Sequence, residues 1–189
     1  GNPSKIQARI GNSFPQSSFN QFEKFGIDAD LVKVDKNDIR FWGLYEPGGD
    51  RQFANHLASG SHADLSIVGD ELLKSNLQVD GIHLAPMPTE IQYGVLKRID
   101  KDKGNNTVVS WDPQVDYLAQ PENNQMAFDM LTFVDIFLPS KEEVLKMFGS
   151  NDLKKAARVF ANHGPTIVAI KKGIEGSLIY VKETDMFWD

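Results

Sequence analysis

No cysteine occurs in the 189 residues. Disulfides, thiolate nucleophiles and cysteine-ligated zinc are therefore excluded, and a chain without thiols suits a reducing cytosol. Long apolar runs are missing too: none approaches the roughly 18 residues that a membrane-spanning helix needs. The opening Gly1-Asn2-Pro3-Ser4-Lys5 has neither an initiator methionine nor an apolar signal core, so the chain is expected to begin inside a longer protein. Basic charge is in deficit, with 20 Lys and Arg against 26 Asp and Glu and a formal net charge of -6. That balance disfavours a nucleic-acid backbone, which calls for a concentrated basic surface. It leaves room for a single phosphate, because backbone N–H groups and one or two lysines bind one within an acidic protein. Two nucleophile and phosphate signatures, Gly-x-Ser-x-Gly and the P-loop, are absent. His56, His62, His83 and His163 are scattered without metal-ligand spacing, and His83 in Ile82-His83-Leu84 reads as a strand histidine.

What is present is ordinary globular composition, 41% hydrophobic and 24% charged, at the length of about one domain with a sizeable core. To about Phe53 the chain favours short strands. Residues 5–10, 31–34 and 40–45 read as strands, and residues 18–25 as a helix stopped by Gly26. Pro47-Gly48-Gly49-Asp50 reads as a tight turn into Arg51-Gln52-Phe53, giving a small sheet flap over roughly residues 29–55. From Asp64 the rhythm changes to helices alternating with short apolar strands. Helices are expected at 65–77, 89–99, 124–133, 141–148 and 151–163, with strands at 81–85, 107–111, 135–138, 166–170 and 177–181. The helix at 151–163 is the clearest, with Leu153, Ala156, Ala157, Phe160 and Ala161 on one face. Alternation of this kind implies right-handed βαβ crossovers and a mostly parallel sheet. The last two strands are too close for a crossover and read as a hairpin at the sheet edge.

Three of these strands end in polar residues, and ligands bind at the carboxyl ends of strands in open α/β sheets. Trp111-Asp112-Pro113-Gln114 is either a simple Asp-Pro turn or a carboxylate at the mouth of a cleft. Ser140-Lys141-Glu142-Glu143 opens a helix as Ser-x-x-Glu, which is a capping box. The same residues can also place Glu143 beside a metal-bound water at a helix N-terminus that favours phosphate. Lys171-Lys172-Gly173-Ile174-Glu175-Gly176 is either a glycine hairpin with two solvated lysines or a place where backbone approaches a phosphate closely, with Lys171 supplying charge. No one of the three decides between its readings. Their order and shared location carry the argument.

That ordered set resembles the ribokinase-type (PfkB) carbohydrate kinase family. The resemblance runs through Trp111-Asp112-Pro113, Val134 to Glu143, Ala156-Ala157-Arg158 to Gly164-Pro165, and Val168 to Gly176. Upstream, Arg9-Ile10-Gly11-Asn12, Phe25-Gly26-Ile27-Asp28 and Ala58-Ser59-Gly60-Ser61-His62-Ala63-Asp64-Leu65 are also similar to the family. It implies an α/β fold, a three-layer α/β/α ribokinase-like domain with a mostly parallel central sheet and a small β lid. Residues 1–189 would be one incomplete domain, with lid strands around 29–55 and an α/β core around 64–189. It further implies ATP-dependent phosphorylation of a hydroxyl on a sugar or nucleoside, with Mg²⁺.

By resemblance, Ser140, Glu143, Lys171, Gly173 and Gly176 would bind ATP or its phosphates, and Glu143 would act on Mg²⁺ through water. Asp112 would contact substrate, and Phe41 and Trp42 would lie on lid strands covering the sugar. The chain departs from the family pattern at Ser140, where asparagine is usual, and at Gln114 and Asp116, where asparagine and arginine are usual. The Gly-Ala-Gly-Asp segment that supplies the family's anion hole and base is expected beyond Asp189. The departures keep open a catalytically silent sugar- or nucleotide-binding member of the same fold. Partners implied are a small-molecule sugar or nucleoside and a second copy paired through the β lid, with neither nucleic acid nor membrane, in the cytoplasm.

Overall fold

A computed structural model describes residues 3–45, 51–114 and 121–189. The Pro47-Gly48-Gly49-Asp50 turn and Asp116 lie outside the described residues. The chain divides into two compact units, Gly1–Ile67 and Val68–Asp189.

In the first unit, strand β1 (Ser4–Ile10), helix α1 (Gln16–Lys24) and strand β2 (Ile27–Lys33) form one parallel crossover, in register from Ser4 opposite Ile27 to Ile10 opposite Lys33. Gly26 at φ 65° turns the chain from helix to strand. Strand β2 begins four residues before the expected Leu31. Asp28 and Asp30 look like loop residues, but each finds a partner across the pair: Lys5 Nζ lies 3.0 Å from Asp28 Oδ2, and Gln7 Nε2 donates to Asp30 Oδ2 at 3.0 Å. Cross-strand polar pairs of this kind let acidic residues sit in a sheet. Asp38 gathers the loop after β1, accepting the N–H groups of Gly11 and Ser13, each at 2.7 Å. Strands β3 (Phe41–Tyr45) and β4 (Arg51–Asn55) form an antiparallel hairpin in which Trp42 is opposite Ala54. Helix α2 (His62–Leu65) closes the unit, capped by the Ser61 hydroxyl.

The second unit runs β5 (Gly81–Leu84), α3 (Thr89–Asp102), β6 (Val108–Trp111), α4 (Pro121–Met130), β7 (Ile136–Phe137), α5 (Lys141–Phe148), α6 (Leu153–Asn162), β8 (Ile167–Lys171), β9 (Ser177–Val181) and β10 (Met186–Trp188). All six strands form one sheet in the order β10-β9-β8-β7-β6-β5. Strands β5 to β8 are parallel, and β9 and β10 are antiparallel additions.

Two expectations are corrected here. Residues 65–77 are not one helix. Helix α2 stops at Leu65, Ser66 is extended, and two 3-10 turns follow at Gly69–Glu71 and Lys74–Leu77. Side chains there offer the backbone competing bonds: the Ser66 hydroxyl donates to the His62 carbonyl at 2.6 Å, and the Glu71 carboxylate accepts the Val68 N–H at 3.0 Å. Leu72 and Leu77 are still buried, so the helix-like apolar spacing is met by broken turns. The second correction concerns the sheet edge. The pair β8–β9 is a hairpin, as expected, but β10 lies outside it. Asp185, at φ 50°, reverses the chain, and Phe187 stacks on Tyr180 at 4.7 Å between ring centres.

Trp111, Phe137, Phe160, Leu96, Met130 and Ile170 are fully buried in this unit. The face read from the spacing of α6 is the face that is buried: Ala156, Ala157, Phe160 and Ala161 are all at 0% exposure. Phe160 meets Phe137 edge-on at 5.3 Å, which locks α6 onto the middle of the sheet. Burying a side chain of that size is worth roughly 1.5–3 kcal/mol. Among the described residues, no helix is long and apolar enough to cross a membrane.

Candidate active site

Strands β6, β7 and β8 are adjacent and parallel, so their carboxyl ends open side by side. Asp112 leaves β6 with its main chain held on both sides. Its N–H donates to the Leu84 carbonyl at 3.0 Å, and its carbonyl accepts Gln92 Nε2 at 3.0 Å. Its carboxylate Oδ1 lies 2.5 Å from Nζ of Lys171, the last residue of β8. Residues 59 positions apart in sequence thus form one ion pair, in which the lysine stays about half exposed.

The end of β7 lies between them. Ser140 bridges to Lys171 as a short parallel continuation of the sheet, and the Lys171 N–H donates to the Pro139 carbonyl at 2.8 Å. Ser140 caps α5 reciprocally with Glu143: the Glu143 N–H donates to Ser140 Oγ at 3.2 Å, and the Ser140 N–H donates to Glu143 Oε2 at 2.6 Å. The capping box expected from the sequence is therefore present. Glu143 is buried all the same, and burial pushes its carboxyl above the ordinary carboxylate range. The Ser140 hydrogen bonds and the Lys171 charge pull it back, and the Asp112 charge adds to the rise.

Beyond Lys171 the chain makes one 3-10 turn, Gly173–Glu175, into β9. Gly173 and Gly176 stand at φ 62° and 86°. A Cβ at either would meet nothing within 4 Å, so the backbone conformation, and not crowding, calls for glycine. Lys141 at the start of α5 reaches Glu175 in this turn at 3.4 Å, and Lys172 pairs with Asp189. Sequence-expected residues Asp112, Ser140, Glu143, Lys171, Gly173 and Gly176 thus belong to one end of one sheet. Phe41 and Trp42 lie on β3 of the first unit, 50% and 61% exposed, with Trp42 edge-on to His56 at 5.6 Å.

A helix N-terminus, a half-exposed ammonium and a glycine turn are together suited to an anionic phosphate. For a metal, no group of three or more His, Cys, Asp or Glu side chains comes together among the described residues. Magnesium with a nucleotide is usually held by one or two carboxylates, with water and phosphate completing its shell. Glu143, with one oxygen already committed to the Ser140 N–H, and the nearby Asp112 fit that mode and not an all-protein cage.

The model of the pfkB family carbohydrate kinases matches residues 1–189. The chain belongs to the pfkB carbohydrate kinase family. A cytidine kinase of Thermococcus kodakarensis is 30% identical over 100 residues, 52% of this chain and 34% of the relative. A 5-dehydro-2-deoxygluconokinase of Clostridium beijerinckii is 27% identical over 192 residues, 91% of this chain and 55% of the relative. The chain therefore spans a third to just over half the length of these curated relatives. Among solved structures, an E. coli protein termed ribokinase II, crystallised with ATP and Mg²⁺, superposes with a TM-score of 0.75 at 19% identity, over 100% of this chain and 63% of that one. At that identity the likeness establishes the fold, which is ribokinase-like α/β with a mostly parallel central sheet.

One residue of this pfkB site escapes the sequence reading. Gln92 on α3 is fully buried beneath Asp112. The signal was available: Gln92 occupies the same helical face as Val95, Leu96 and Ile99, and a polar residue on an apolar face must find partners inside.

Proposed function

We propose that the full-length protein is an ATP- and Mg²⁺-dependent kinase that phosphorylates a hydroxyl of a sugar or nucleoside. The observation that carries this reading is the convergence of Asp112, the Ser140–Glu143 cap and Lys171 at the ends of three adjacent parallel strands, in a pfkB family chain. The names of the relatives support the substrate class, since one acts on a nucleoside and another on a sugar acid derivative by name.

Lys171 neutralises phosphate charge at the end of β8. Gly173 and Gly176 shape a turn whose backbone lies close to the phosphates without side-chain obstruction. Ser140 fixes the N-terminus of α5, which favours negative charge there. Glu143, held by that cap, would hold Mg²⁺ through water, and Asp112 would contact substrate. Bound Mg²⁺ supplies charge neutralisation across the transferring phosphoryl group. In such transfers positioning and electrostatics provide most of the acceleration, which matches the pre-ordered main chain around these side chains. Phe41 and Trp42 supply apolar surface on the β3–β4 hairpin, and that hairpin pairs with a second copy of the chain.

The test is incubation of the full-length protein with ATP, Mg²⁺ and a panel of sugars and nucleosides, with phosphorylated product read by mass spectrometry. A product that forms about 10- to 100-fold more slowly when Lys171 is replaced by Met is the expected result. Failure to phosphorylate any member, alongside retained nucleotide binding, would favour the silent binding protein instead.

A further inference from the structure

Gln92 has no exposed surface, yet its side chain is polar. Its amide nitrogen donates to the Ala85 carbonyl at 2.8 Å and to the Asp112 carbonyl at 3.0 Å. Its amide oxygen accepts the Trp111 indole N–H at 3.0 Å. One side chain from α3 therefore joins the carboxyl ends of β5 and β6. Trp111 is also fully buried, and its indole N–H has to be satisfied inside the protein. A bland account stops there, with Gln92 as the solvent of a buried tryptophan.

The two bonds made by the amide nitrogen are not explained by that account. Asp112 is the first residue beyond β6. Pro113 follows it and has no N–H with which to continue a ladder. On its amino side Asp112 is tied to Leu84, and Trp111 is tied through its carbonyl to the Leu138 N–H at 2.9 Å. On the carboxyl side of Asp112 the tie is Gln92. That bond sets the orientation of the Asp112 peptide, and through it where the carboxylate points.

We propose that Gln92 is a positioning residue: it fixes the main chain of Asp112 so that the carboxylate meets Lys171 at the carboxyl ends of β6 and β8. The functional importance of that pair rests on the kinase reading, but the positioning itself does not. An amide is the one uncharged side chain that performs both tasks here, because it carries a double donor for two carbonyls and an acceptor for the indole.

The experiment separates positioning from simple satisfaction of the indole. Gln92→Leu orphans the indole N–H and two carbonyls, and is expected to lower the melting temperature. Gln92→Leu combined with Trp111→Phe removes the indole N–H along with its acceptor, and is expected to recover part of that loss. In each protein the reactivity of the Lys171 amine is read by limiting acetylation and peptide mass spectrometry, with an exposed lysine such as Lys24 as internal reference. The pair should loosen equally in Gln92→Leu and in the double variant, raising Lys171 labelling about fivefold over wild type, the change that loss of one hydrogen bond makes in an equilibrium. Trp111→Phe alone leaves the amide donors in place and should label like wild type.

Wild-type labelling of Lys171 in the folded double variant would overturn the proposal, since Gln92 would then do no more than satisfy Trp111. Should Gln92→Leu fail to fold, the double variant against Trp111→Phe carries the same comparison. Labelling reads no turnover, so a protein that phosphorylates nothing would still report on Gln92. The kinase assay on the same variants fails separately.

Discussion

Glu143 meets two demands at once. It completes the cap of α5, and it sits buried where its charge is costly. Its carboxyl is raised above the ordinary value of 4.5, chiefly by that burial. The folded state therefore keeps the proton to higher pH than the unfolded chain does. Between the two values the folded state binds more protons, so the contribution of this group to stability falls as pH rises through the folded value. Glu143→Gln does not titrate. Its stability relative to wild type should climb from acid to neutral pH and then level off, read by urea unfolding at a series of pH values. A relative stability that falls with pH would contradict the burial argument. Lys171 makes the complementary prediction. In its pair with Asp112 the ammonium is about half exposed and the carboxylate 21% exposed, so Lys171→Met should cost no more than about 1 kcal/mol of stability. If it meets phosphate, one lost charge-assisted hydrogen bond should lower kcat/KM for ATP-dependent phosphorylation by about 10- to 100-fold.

At the scale of elements, a tight joint lies at the end of α6. A Cβ at Gly164 would lie 2.0 Å from the Leu131 carbonyl oxygen, a backbone atom that cannot yield without moving the turn before β7. Gly164→Ala should destabilise by about 3 kcal/mol or more, measured by denaturant unfolding. A near-neutral result would mean that α6 and the turn slide apart easily. The elements themselves were legible to different degrees, for physical reasons. Helix α6 and strands β6 and β8 are dictated by their own residues, because one apolar face or one apolar run has a single good burial. The cap at Ser140 was equally plain, since both of its partners lie within four residues. The start of β2 was hidden, because Asp28 and Asp30 look like loop residues until Lys5 and Gln7 are placed beside them. Residues 65–77 misled because apolar spacing does not report the competing bonds of Ser66 and Glu71. Strand β10 has only three residues, and what identifies it, the ring of Tyr180 under Phe187, is tertiary. The strand-end residues were marked in the sequence by polar residues closing apolar strands and by the family resemblance. The Asp112–Lys171 pair and the Gln92 tie were not, because they join β6 to β8 and to α3 through space.

At the scale of the whole molecule, the hairpin β3–β4 is where association is expected. Phe41, Trp42, Leu44 and Tyr45 are all at least half exposed along one five-residue strand. A strand with that much apolar surface is an invitation to pair. Sedimentation of the full-length protein should show a dimer that Trp42→Lys weakens, and monomer alone at high concentration would remove the lid contact from the account. The larger claim is that a pfkB chain with Asp112, Glu143 and Lys171 gathered at one sheet end is the phosphate side of a working kinase. The most direct measurement is transfer of the γ-phosphoryl group of labelled ATP to a panel of sugars and nucleosides by the full-length protein with Mg²⁺. The expected result is label in at least one substrate, transferred about 10- to 100-fold more slowly by Lys171→Met without loss of folding. Label in no substrate, or undiminished transfer in Lys171→Met, would contradict it.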